Sequence, residues 1–188
     1  MRNKYVITRR ENVRYVQEHL DNFISNALFL SRYTDDDPLK DIARHNFEAA
    51  FDYILNSPEV ENDYHCLLEI HTILMDGLNE GVNRELTEEQ IEELSAMINQ
   101  PAKANVEIAI DVMLYILDKR LFTDGDVRVA IMFANKIMVD NGCGIITVFK
   151  GKSDTFRQMY KQYQEERTDD FKNWIYKYCV RGPKVEYN

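Results

Sequence analysis

Apolar residues recur along this chain at intervals of three and four, the spacing that lines one face of an α-helix rather than alternate faces of a strand. Val13, Val16, Leu20, Phe23, Ala27 and Leu28 form one such face and predict a first helix from about Glu11 to Ser31. Asp35-Asp36-Asp37-Pro38 reads as a loop that opens a second helix, with Pro38 in the first turn, where its missing N–H costs nothing. Ile42, Ala43, Phe47, Ala50, Phe51 and Ile54 line that helix, and Ser57-Pro58 closes it. A third helix carries Leu67, Leu68, Ile70, Ile73, Leu74 and Leu78 and is expected to end near Gly81. Thr87-Glu88-Glu89-Gln90 has the form of a capping box, in which the Thr hydroxyl and the Gln side chain satisfy opposite orphan N–H groups. It opens a short helix through Ile91, Leu94 and Ile98, closed by Gln100-Pro101.

The next segment changes character. Between Val106 and Arg120 the residues Val106, Ile108, Ala109, Ile110, Val112, Met113, Leu114, Ile116 and Leu117 leave almost no polar face. A helix apolar on most sides is buried on most sides, so this one is expected at the centre. A tight Asp-Gly loop follows, then a sixth helix through Ala130, Phe133, Ala134, Ile137 and Met138, with Gly142 as a left-handed cap. Ile145 to Phe149 is a short β-prone run. Two amphipathic helices complete the pattern, Ser153 to Glu166 and Thr168 to Val180. With no repeat and no linker-like stretch, the expectation is one all-α domain over 1–188. It is a helical bundle with a core from about 11 to 182 and at most a short β element.

Composition narrows the picture. A chain of 188 residues accommodates one domain with a substantial core. Hydrophobic content of 45% with only 4 Pro and 7 Gly fits a packed, helix-rich chain rather than a disordered one. A formal net charge of −9 argues against non-specific nucleic-acid binding, which needs a basic face. No apolar run approaches the roughly twenty residues of a membrane span, and Met1-Arg2-Asn3-Lys4-Tyr5 lacks the apolar core of a secretion signal. Cys66, Cys143 and Cys179, an odd set without a CxxC pair, fit reduced thiols. The expected location is the cytoplasm.

The chemistry concentrates in one stretch. Arg120-Leu121-Phe122-Thr123-Asp124-Gly125-Asp126-Val127-Arg128 leads straight into Val129-Ala130-Ile131-Met132-Phe133-Ala134-Asn135-Lys136. A loop feeding a helix N-terminus is a natural anion site, because unpaired backbone N–H groups and the helix dipole both face the ligand. Here the chain resembles the Fic/Doc family, whose signature is HPFx(D/E)GNGRxxR or, in one branch, a DGNKRTA variant followed by FAN and a glycine-rich turn. The resemblance rests on Phe122, Asp124, Gly125, Arg128 and Ala130, then Phe133-Ala134-Asn135-Lys136 and Gly142-Cys143-Gly144-Ile145-Ile146. Leu68 to Leu74 looks like the family's "iH..L" helix, and Phe156 to Gly182 like its closing pair of helices.

That resemblance implies a transferase of a nucleotide part, usually AMP from ATP with Mg²⁺, onto a protein hydroxyl. The motif His would be the base, the acidic residue the metal ligand, and the Asn, glycines and Arg residues the phosphate cradle. Position by position the chain departs from this. The His falls on Arg120, which cannot give up a proton near neutral pH. The metal carboxylate is present as Asp124, and Gly125 and Arg128 are kept. The phosphate-facing Asn falls on Asp126; at an effective dielectric near 20, like charges about 4 Å apart repel by about 4 kcal/mol, on the order of a thousandfold in binding. The second Gly falls on Val127, which tolerates a left-handed backbone poorly, and the second Arg on Ile131. Gly81-Val82-Asn83-Arg84 runs almost directly into the Thr87 capping box, leaving little room for the family's target-binding hairpin. In the segment Ser25 to Leu30, which aligns with the family's inhibitory helix, Phe29 stands where its Glu belongs.

Other readings of the same residues remain open. The loop can be a solvent-facing turn with Arg128 paired to Asp124 or Asp126, or the two carboxylates a small hard-cation site. His65, Cys66, Glu69 and His71 resemble metal ligands in type, but only His65 and Glu69 share a helical face. Cys143, between two glycines, is a candidate accessible thiol without a His to activate it. Tyr160, Tyr163, Tyr176, Tyr178, Phe156 and Trp174 suit helix packing, with any exposed share suited to a protein partner. Two functions follow. The first is a degenerate Fic/Doc-like protein that regulates by binding a protein, pseudo-enzyme or antitoxin-like, of bacterial or phage origin. The second is an altered nucleotidyl- or phosphotransferase using ATP and Mg²⁺, with Asp124 or Asp126 as base.

Overall fold

The nearly all-apolar stretch from Val106 to Leu117 becomes one of two central helices. The computed structural model describes residues 1–78 and 85–183. Among these the helices are α1 (Arg9–Glu18), α2 (Leu20–Leu30), α3 (Lys40–Asn56), α4 (Tyr64–Met75), α5 (Glu88–Ile98), α6 (Asn105–Lys119), α7 (Asp126–Asp140), α8 (Ser153–Glu166) and α9 (Asp170–Cys179). Two short strands, β1 (Ile145–Ile146) and β2 (Val180–Arg181), pair antiparallel with Ile146 opposite Val180. The fold is all-α with one minimal β element.

Helices α6 and α7 pack on each other more extensively than any other pair. Val106, Ala109, Ile110, Met113 and Ile116 of α6, and Val129, Ala130, Phe133, Ala134 and Met138 of α7, are fully buried. Burying the valines, isoleucines, methionines and Phe133 among them contributes about 1.5–3 kcal/mol each before chain entropy is counted. Around this pair, α3 and α4 cover α7, while α5 and α9 cover α6, and α8 packs on α9. One contiguous hydrophobic cluster runs through all of them. Among the described residues no helix is long and apolar enough to cross a membrane.

Several boundaries differ from expectation, each for a local reason. The single helix expected from Glu11 to Ser31 is two helices broken at His19, which leaves helical geometry at φ −121° and ψ 12°. The His19 ring takes the Tyr15 carbonyl through Nδ1 at 2.9 Å, and its backbone N–H turns to the Val16 carbonyl instead. A side chain inserted into the ladder bends the helix there. The chain also starts its helix earlier, because Thr8 and Glu11 form a second capping box. Pro38 precedes α3 rather than opening it, and Asp37 Oδ1 accepts the Leu39 N–H at 2.9 Å in the intervening turn. α4 stops at Met75, followed by Gly77 at φ 66°; its expected end near Gly81 lies outside the described residues. Of the β-prone run only Ile145–Ile146 pairs, and Val180 leaves α9 to become its partner strand.

The Thr87 capping box forms as expected, with Thr87 N–H donating to Gln90 Oε1 at 3.0 Å and Gln90 N–H to Thr87 Oγ1 at 3.2 Å. Gly142 terminates α7 at φ 61°, with Cys143 N–H donating to the Met138 carbonyl and Gly142 N–H to Val139, a Schellman closure. A Cβ at position 142 would lie 1.8 Å from the Ile7 carbonyl oxygen, so only glycine fits.

Candidate functional site

The α6–α7 connection is built from two left-handed residues and two buried anchors. α6 ends where Arg120 turns to φ 45°, ψ 62°. Leu121 and Phe122 drop into the core, and Gly125 at φ 86° caps α7. A Cβ at Gly125 would sit 2.7 Å from Met75 Sδ, so α4 presses directly on the loop. The His71 ring of α4 stacks on Phe122, centroids 4.0 Å apart and planes within 10°. Its Nε2–H tautomer donates to the Asp124 carbonyl at 3.2 Å. His71 therefore clamps the loop from α4.

The loop's polar groups are turned largely on one another. Asp126 Oδ1 accepts the Phe122 N–H at 3.1 Å, and Asp124 Oδ1 accepts the Gly125 N–H at 2.6 Å. Arg128 is 8% exposed, donates through Nη1 to the Tyr33 hydroxyl at 2.7 Å, and holds Asp124 Oδ1 at 3.4 Å from Nη2. Its guanidinium also lies 5.6 Å from the Tyr33 ring centroid. Burial pushes the Tyr33 hydroxyl above its ordinary range, with the nearby guanidinium opposing. The pairing of Arg128 with Asp124 is one of the expected alternatives; the turn is exposed at Thr123 and Asp124, whereas Arg128 itself is buried.

Arg120, Asp124, Gly125, Asp126 and Arg128 all line one open cleft of about 600 Å³. Its other walls are the end of α2, with Leu30, Ser31 and Arg32, and one face of α8, with Phe156, Arg157, Tyr160 and Lys161. Arg157 crosses between these walls, donating to the Phe29 and Leu30 carbonyls at 3.4 and 3.3 Å and to Asp154 Oδ1 at 2.8 Å. Tyr160 donates to the Leu117 carbonyl at 2.8 Å, tying α8 to the end of α6. The sequence reading missed Arg32, Tyr33, Arg157 and Lys161. No spacing signal links Tyr33 to Arg128 across the chain, so only the fold reveals that pair.

Residues further along the motif hold the scaffold. Asn135 Nδ2 donates to the Ile146 carbonyl at 2.9 Å and Asn135 Oδ1 accepts the Ile146 N–H at 2.7 Å, fixing α7 to β1. Lys136 is fully buried, donates to the Val60 carbonyl at 3.0 Å and pairs with Asp140. Val127 lies within α7, so its position does not call for a left-handed backbone. Phe29 of α2 is 42% exposed.

The remaining candidates are dispersed. His65 is exposed with its ring tilted against Tyr64, Cys66 is buried, Glu69 is exposed, and His71 faces the loop. Among the described residues no group of three or more His, Cys, Asp or Glu is placed to hold a metal ion. Cys143, expected to be accessible, is 1% exposed, and burial pushes its thiol up to about 11. Burial likewise pushes Cys66 up to about 11 and Cys179 to about 12. These are inert structural thiols. Of the aromatic tail, Phe156 and Phe171 are core, with Tyr160, Tyr163 and Trp174 half-buried around them. The segment Gly81 to Arg84, read as too short for a target-binding hairpin, lies outside the described residues. No model of a known protein family matches the chain, and no curated protein matches it.

Proposed function

We propose that this chain is a Fic/Doc-like protein with a degenerate active site that acts by binding a protein, as a regulator or antitoxin-like partner, and does not transfer a nucleotide. The observation that carries this reading is the engagement of Arg128. The one phosphate-binding Arg kept from the family signature is buried, bonded to Tyr33 and paired with Asp124. That pairing engages Oδ1 of the carboxylate that would hold Mg²⁺, at 3.4 Å. Asp126 places a second carboxylate at the first residue of α7, where phosphate oxygens would have to sit. The donor set therefore does not fit a magnesium–nucleotide complex without dismantling its own ion pair. Arg120, at the position of the family's base, is a fixed cation and cannot accept a proton.

Incubation of the chain with radiolabelled ATP and Mg²⁺ tests this reading. No label is expected on the chain itself or on an added mixture of cellular protein. Transfer that disappears in Asp124→Ala or Asp126→Ala would overturn it and assign an aspartate the role of base.

A further inference from the structure

We propose that the motif-loop cleft receives an acidic segment of the partner protein, held by Arg32, Arg120, Arg157 and Lys161 and anchored on Phe29. This inference rests on the protein-binding reading above and names the chemistry of the partner.

The first support is charge. The chain carries a net −9, yet the cleft is lined by five cationic side chains against two carboxylates. Two of those cations are already paired, Arg128 with Asp124 at the cleft floor and Arg157 with Asp154. Arg32, Arg120 and Lys161 stand exposed around it. A basic cleft on an acidic protein steers acidic partners to one place and repels them elsewhere.

The second support is backbone conformation. Among the described residues, three non-glycine residues have positive φ, and all are arginines: Arg32 at 67°, Arg120 at 45° and Arg167 at 56°. Each stands where a helix ends and glycine is the usual choice. A Cβ in that conformation costs about 1–2 kcal/mol. The ion pair of Arg167 with Asp118 accounts for one of them. Arg32 has no ion pair or side-chain hydrogen bond among the described residues. A cation near a helix C-terminus contributes only about 0.3–1 kcal/mol. At Arg32 the left-handed turn closes α2 as a Schellman motif, with Arg32 N–H donating to the Phe29 carbonyl and Tyr33 N–H to Leu28; glycine would serve that closure without the steric cost, and Arg32 instead lines the cleft.

The occupant follows from the chemistry of the walls. Guanidinium forks match carboxylates bidentately, while Asp124 and Asp126 deny phosphate the helix N-terminus. Phe29 precedes Leu30 in α2, its carbonyl accepts from Arg157 at 3.4 Å, and the residue is 42% exposed. An acidic peptide with a bulky apolar residue covers both features, placing an aromatic anchor beside a charged rim.

The test is fluorescence anisotropy of a labelled polyglutamate peptide carrying one internal Leu, titrated with the full chain at low and high salt. Binding is expected at low salt and is expected to weaken as salt rises. Arg32→Glu and Lys161→Glu should each weaken it about tenfold or more, whereas Lys177→Glu, outside the cleft, should not. Arg32→Gly should weaken binding while raising the unfolding midpoint, a combination that a merely structural role would not give. Absence of peptide binding, or equal loss in Lys177→Glu, overturns this inference alone. Equal binding of oligothymidylate that is lost in the same variants also overturns it, assigning the cleft to phosphodiesters. Displacement of the peptide by micromolar ATP–Mg²⁺ would instead overturn the non-transferase reading.

Discussion

Arg128 brings a permanent charge into a nearly closed space, and such a charge is tolerated only when its donors are met. Tyr33 meets Nη1 at 2.7 Å and is itself half-buried, whereas Asp124 is 55% exposed and sits at 3.4 Å. The two partners should therefore differ in weight. Tyr33→Phe leaves a charged donor without its acceptor and is expected to cost about 1–3 kcal/mol. Asp124→Asn removes a largely solvated pair and is expected to cost less than about 1 kcal/mol. Urea unfolding of both variants checks the order, and a larger loss in Asp124→Asn would contradict it. His71 invites a similar separation, because it both stacks on Phe122 and donates to the Asp124 carbonyl. His71→Phe keeps the stacking and removes the bond, so it should be milder than His71→Ala, which also opens a cavity.

At the scale of elements, the loop is set by α4 as much as by its own residues. Gly125→Ala meets a left-handed backbone and a Met75 Sδ at 2.7 Å, and is expected to lose about 1–3 kcal/mol. Part of that loss should return in the Gly125→Ala/Met75→Ala pair relative to Met75→Ala alone, because the steric half of the penalty is gone; no coupling in the double-mutant cycle would contradict the contact. The helices themselves were legible because amphipathic periodicity is a local signal, and the nearly unbroken apolar character of α6 marked it as central; α7 carried no such mark, and only packing shows that it shares the centre. The Thr87 capping box and the Gly142 closure were legible for the same reason. The break at His19 was not, since it depends on one ring competing for one carbonyl. The loop's five candidate positions do converge on one cleft, but its far walls come from residues distant in sequence. Tyr33, Arg32 and Lys161 carry no motif, and only packing brings them to Arg128.

Across the whole molecule, a second charged network joins the N-terminal amine, α6 and α9. The Met1 ammonium lies 2.6 Å from Glu107, and Lys172 reaches Glu107 at 2.9 Å and Asp111 at 2.6 Å. Hydrogen bonds from the N-terminal ammonium and then from Lys172 pull the Glu107 carboxyl down to about 2, from an ordinary 4.5. A folded-state value below the unfolded one contributes stability above the ordinary value, and that stability is lost as the pH falls toward about 2. Glu107→Gln is expected to flatten the acid limb of the melting midpoint between about pH 4.5 and about pH 2, relative to the parent. Parallel acid limbs would contradict this. The central proposal concerns the other charged centre, where Arg128 pairs with Asp124 and Asp126 accepts the Phe122 N–H at the start of α7. Calorimetric titration with ATP–Mg²⁺ tests it most directly. A dissociation constant weaker than about 1 mM, some −4 kcal/mol, is the expected result. Micromolar binding that is lost in Arg128→Ala would contradict it.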